Sequence, residues 1–132
     1  MRSPAPGILL ALLLIYGAAS LVHFIHNAEF LADYPGMPSS WTGEGVYLVW
    51  LAMTLIGVVG WLLATRGFQV AGLLLVALYA VCGLDSLGHY LLAPLSAHSV
   101  AMNSTILLEV TAAALVLGET LRLLARRLFR QR

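Results

Sequence analysis

The chain has 132 residues, of which 61% are hydrophobic and 10% charged, and its formal net charge is +1. Soluble domains carry about 25% charged residues, so the composition excludes an ordinary soluble domain and the length excludes several domains. The charges are also sorted along the chain. All seven basic residues are arginines at the start, at Arg66 and near the C-terminus, whereas the four histidines lie elsewhere.

Four apolar runs, about 8–28, 45–64, 70–92 and 100–124, are each long enough to cross a hydrocarbon core, which takes about 20 residues of helix. The expected fold is all-α, a single integral membrane domain of four helices in an up-down-up-down bundle. Pro4 and Pro6 suit the start of span one. Gly17-Ala18-Ala19-Ser20 resembles a signal-peptide cleavage region, but apolar residues continue through Ile25, so span one is read as retained.

Tyr34-Pro35-Gly36-Met37-Pro38 breaks the first helix. Ser39, Ser40 or Thr42 can cap span two, with Glu44 in its first turn. Trp41, Tyr47 and Trp50 fit an aromatic belt. Thr65-Arg66-Gly67 is a tight turn into span three, Pro94 ends that span, and Ser96 or Ser99 can cap span four. Three pairs of small residues, Gly57 and Gly60, Ala80 and Gly83, Ala114 and Gly118, suit close helix approach. Cys82 is the sole cysteine and can form no intrachain disulfide.

Arg2, Arg66, Arg122, Arg126, Arg127, Arg130 and Arg132 fall on one side of this topology, and Glu29, Asp33 and Glu44 on the other. The positive-inside rule places both termini in the cytoplasm and the 29–44 and 93–99 loops outside. The absence of lysine and the abundance of Ala, Leu, Gly and Arg point to a bacterial inner (plasma) membrane. The C-terminal arginines read as an anchor at anionic headgroups, and no nucleic-acid partner is expected. Glu119 is expected to pair with Arg122 or Arg126.

Ionisable residues within a span cost a few kcal/mol and tend to mark a site. His23, His26 and Glu29 are spaced i, i+3, i+6, with Asn27 beside His23. Asp85 and His89 are spaced i, i+4, and Glu109 lies about 13 Å below the outer end of span four. His23, His26 and His89, with Asp85 as fourth ligand or as the group that orients them, form a candidate metal site. A divalent ion is the expected cofactor, zinc favoured by its His and carboxylate ligands, with haem, iron and copper open. Glu109 and Asp85 are the candidate catalytic carboxylates, Glu109 as base on metal-bound water.

Plainer roles stand beside these. His26 and His89 can be interfacial anchors, His98 a solvated loop residue, and Glu29 and Asp33 exposed charges. Asp85 and Glu109 can be structural acids bonded to Thr105, Ser86 or a histidine.

His26-Asn27-Ala28-Glu29-Phe30 at the outer end of span one resembles the HXXEE-domain family of small integral membrane proteins. His26 and Glu29 match two named positions, and Phe30 replaces the second glutamate. His89 stands for the family's later histidine, and in Leu92-Ala93-Pro94-Leu95 only the proline matches its Tyr-x-Pro-Gly element. The resemblance implies a four-helix membrane protein without an established activity.

The functional expectation is a His/carboxylate, metal-binding site near the outer membrane face, in a metal-dependent hydrolase acting on a lipid or other hydrophobic substrate. The alternatives are a proton or cation relay, or an accessory subunit of a larger membrane complex or homo-oligomer.

Overall fold

The computed structural model describes residues 5–129, so Arg2, Pro4, Arg130 and Arg132 lie outside the described residues. These contain no strand. The chain folds as α1 (Ala5–Glu29), α2 (Gly43–Thr65), α3 (Gln69–Leu84), the single turn α4 (His89–Leu92) and α5 (Val100–Phe129), with short 3-10 turns at Leu31–Asp33, Asp85–Gly88 and Leu95–Ala97. Four helical stretches are long and apolar enough to cross a membrane: Gly7–Glu29, Gly43–Thr65, Gln69–Leu92 and Val100–Phe129. The last runs five residues past the expected end, carrying Arg126 and Arg127 in its final turn. There a basic residue favours the negative end of the helix dipole.

Local chemistry sets the boundaries. The Thr42 hydroxyl accepts a hydrogen bond from the Gly45 amide at 3.1 Å, so Thr42 is the residue that caps α2. At the start of α5 the Ser99 hydroxyl accepts from the Met102 amide at 3.2 Å. Each satisfies an amide that the first helical turn leaves without a partner. Gly67 turns the chain between α2 and α3 at φ +105°. Gly36 ends the excursion after α1 at φ +76°, and a Cβ there would sit 2.8 Å from the Leu92 carbonyl oxygen. The loop after α1 is thereby laid against the end of α4, above the polar residues described below.

The long helices close a ring in which α1 and α3 each pack on both α2 and α5. Tyrosines fill hollows left by glycines. Tyr16 is fully buried, donates its hydroxyl hydrogen to the Tyr79 carbonyl at 2.9 Å, and covers Gly83. Tyr79 in turn covers Gly57. Leu73, Val76, Ala113 and Val116 complete this core. Outward positions are Leu, Ile and Val in large number, among them Leu14, Leu48, Leu74 and Leu115. A helix apolar on its outer side as well as its inner side suits a lipid environment.

Candidate functional site

Polar side chains are concentrated in the half of the bundle where α1 ends and α5 begins. Three successive contacts of α1, by Ser20, His23 and Asn27, form a buried stripe at i, i+3, i+7. At about 100° per residue these three span only about 60° of the helix surface. His26 lies about 60° from His23 on its other side and Glu29 about 120°. They are therefore carried out of the core: His26 is half-buried and Glu29 exposed. The Glu29 carboxylate accepts from the Tyr47 hydroxyl at 2.8 Å and ties α1 to α2.

Glu109 of α5 is the centre of the polar group and is fully buried. The Ser86 hydroxyl donates to its Oε2 at 2.5 Å. His23 Nε2 lies 3.8 Å from the same oxygen, within ion-pair range but beyond a hydrogen bond. The ring of His23 is fixed from its other side. Thr105 donates its hydroxyl hydrogen to the Met102 carbonyl at 3.1 Å. It is thereby left to accept from His23 Nδ1, 3.2 Å away. With that tautomer the neutral ring turns an unprotonated Nε2 toward Glu109. Among the described residues Glu109 Oε1 and Ser20 Oγ have no hydrogen-bond partner.

His89 is buried beside His23, their rings 5.4 Å apart and edge to face. The Asn27 amide donates to His89 Nε2 at 3.2 Å, which places the proton of a neutral ring on Nδ1. That nitrogen and Asn27 Oδ1 both lack partners. Tyr34, brought in by the loop after α1, packs at a tilt on His89, ring centroids 5.0 Å apart, and lies against His26, with a 2.9 Å hydrogen bond between its hydroxyl and His26 Nδ1. Burial pushes the Tyr34 hydroxyl up to about 12, so it remains a donor at ordinary pH.

The third span leaves α-helical geometry at Asp85–Gly88. In a 3-10 turn residues at i and i+3 eclipse. Ser86 thus shares a face with His89, whereas the α-helical i, i+4 spacing expected to align Asp85 with His89 does not hold. Ser86 reaches Glu109 and Asp85 is turned out and exposed. His98 also departs from expectation. It is buried, donates from Nδ1 to the Pro94 carbonyl at 3.0 Å, and packs on Tyr90 and His89.

The structure therefore brings together His23, His89 and Glu109, leaves His26 at the edge with Tyr34, and separates Asp85. Among the described residues, no three His, Cys, Asp or Glu side chains are gathered as a group that could hold a metal ion. Ser20, Asn27, Ser86 and Thr105 join the candidate site. Their signal in the sequence is the i, i+3, i+7 recurrence of polar residues in α1, with Thr105 and Glu109 at i, i+4 in α5.

Beside this polar group a cavity of about 1010 Å³ opens between α1, α2 and the third span. Its walls include Phe24, Met53, Ile56 and Val81, and its polar end is formed by His23, Asn27, Asp85, Ser86 and His89. A long apolar cleft with a few convergent polar groups is the usual form of a site for an apolar ligand. In comparisons with protein-family models, curated proteins and solved structures, nothing matches the chain.

Proposed function

We propose that the protein is a membrane-embedded hydrolase for a lipid or other hydrophobic substrate, with its site near the outer face of a bacterial inner membrane. In this reading the bundle runs up-down-up-down with both termini cytoplasmic, as the distribution of arginines favours. The observation that carries it is a fully buried carboxylate, Glu109, set behind Ser86 and His23, which line an apolar cavity large enough for an acyl chain. The substrate enters laterally from the bilayer, its tail among Phe24, Met53 and Ile56 and its scissile bond at the polar end.

Glu109 and His23 are arranged to hold and return one proton. In ester hydrolysis a water admitted from the cavity between His23 and Ser86 gives a proton to Glu109 as the water oxygen bonds to the acyl carbon. The proton is then delivered to the leaving alkoxide, and the products are a carboxylic acid and an alcohol. Positioned acid–base groups of this kind contribute about 10²–10⁴-fold to rate. His89 Nδ1–H is a donor for the oxygen that gains charge at the acyl carbon. In the metal-dependent form of the reading, with zinc on His23, His26, His89 and Asp85, His26 has to leave Tyr34 and Asp85 has to turn inward.

A second reading, a proton relay, is favoured by the run of polar groups from half-buried His26 through Tyr34 to His23, Thr105 and Glu109. Below Glu109 the core is apolar, with Val116 and Leu124 buried and Thr120 bonded back to the Val116 carbonyl. The relay would thus end at Glu109 and supply the site.

The test is incubation of the full chain, reconstituted in liposomes of bacterial lipid extract, with mass-spectrometric detection of acid and alcohol products and a metal inventory of the same preparation. Products that vanish in Glu109→Gln and in the cavity-filling Ala52→Trp support the reading. Products absent with wild-type protein, both as prepared and with added zinc, overturn it.

A further inference from the structure

We propose that the cavity takes a cationic amphiphile, a single apolar chain with an ammonium headgroup that pairs with Asp85. This rests on the cavity being a ligand site, as read above, and adds the chemistry of the head.

Asp85 is exposed on the cavity wall, about 12 Å along the chain axis from the end of the third span. An ionisable group at such depth calls for a partner of opposite charge. Among the described residues the oppositely ionisable side chains within 4.0 Å of each other are His23 with Glu109 and Arg122 with Glu119, and neither contact involves Asp85. The chain has no lysine, and among the described residues no arginine lines the cavity. A phosphate headgroup would therefore meet a carboxylate and no base, whereas an ammonium supplies the missing charge.

Two further features point the same way. Trp41, exposed and among the cavity's lining residues, supplies an aromatic side chain that can take a cation. Glu29, Asp33 and Glu44 flank the same end of the bundle, and the field they set up draws cations toward it. A bare metal ion would satisfy Asp85 but leave the apolar length of the cavity unused. A chain with an ammonium head uses both.

The experiment uses the full chain in neutral phosphatidylcholine nanodiscs, with Trp50→Phe and Trp61→Phe so that Trp41 is the sole fluorophore. The probes are three bromine-labelled hexadecyl chains that differ only in the head: primary amine, alcohol or phosphate. The amine is expected to half-quench Trp41 at a mole fraction about tenfold below the phosphate, the size of one ordinary charge-pairing preference. Asp85→Asn is expected to shrink that preference to about twofold or less, and Asp85→Glu to retain it. Equal midpoints for all heads, or a preference that survives Asp85→Asn, overturn the headgroup assignment and leave the cavity as a ligand site. Absence of saturable quenching by any probe overturns the cavity itself, and the proposed function with it.

Discussion

Ser86 Oγ lies 2.5 Å from Glu109 Oε2, and the contact depends on the 3-10 turn at Asp85–Gly88. Continued α-helix would rotate Ser86 away from the face that His89 occupies. The turn therefore does two things at once: it supplies a donor to a carboxylate buried in α5, and it releases Asp85 to the cavity wall.

Removal of that donor has a defined effect. Ser86→Ala leaves Glu109 with neither oxygen hydrogen-bonded, since Oε1 already lacks a partner. The expected loss is about 1–3 kcal/mol of stability. Glu109→Leu removes the carboxylate that Ser86 serves, and Ser86→Ala then costs less in that background. Thermal unfolding in detergent for the four proteins of the cycle measures the coupling. Strict additivity would show that the two side chains do not interact.

Asn27 and His89 form a second couple. Asn27→Leu strands His89 Nε2 in an apolar surrounding and is expected to cost about 1–3 kcal/mol. In an His89→Leu background the same substitution should cost little, because no ring nitrogen is left unpaired. Equal penalties in both backgrounds would contradict the 3.2 Å contact as an energetic one.

Close helix approach was legible in the sequence only in part. Gly57 and Gly60 pack against the third span and Gly83 lies under Tyr16, as small residues should. Gly118, of equal standing in the sequence, has open space where a Cβ would go. Gly72, which the spacing did not single out, is pressed against the Ala64 and Gly60 backbone. Gly72→Ala is expected to destabilise by about 1–3 kcal/mol through overpacking. Gly118→Ala should be neutral or stabilising by about 1 kcal/mol, the helix-propensity gain. Thermal midpoints of the two variants check this, and a reversed order would contradict the packing.

Tyr34 offers a pH test outside the spans. Its hydroxyl is held at about 12, chiefly by burial, against about 10 for a free tyrosine. A raised value means that the folded state keeps the proton longer than the unfolded state does. Stability from this residue is whole below about pH 10 and falls as pH rises toward 12. The absorbance difference between wild type and Tyr34→Phe isolates its phenolate, and a midpoint near 10 would contradict its burial under the loop.

The four apolar spans and the burial of Glu109 and His23 could be read from composition and depth, because charge within an apolar run is costly wherever the helices lie. The rotation of each helix could not. His26 and Glu29 looked like neighbours of His23 at i+3 and i+6, yet the buried stripe drifts the other way, through Asn27 at i+4 and Ser20 at i−3. Asp85 appeared to share a face with His89 because α-helical geometry was assumed where the chain tightens. Tyr34 carries no periodic signal at all. It arrives from a loop, placed by Pro35 and by Gly36 against Leu92.

The most direct measurement is the initial rate of lipid ester cleavage by the reconstituted full chain, compared with Glu109→Gln at equal folded content. Proton transfer by Glu109 predicts a fall of about 10²–10⁴-fold with substrate affinity little changed, because Gln keeps the volume and the Ser86 contact but cannot carry the proton. A rate unchanged in Glu109→Gln would contradict proton transfer by Glu109.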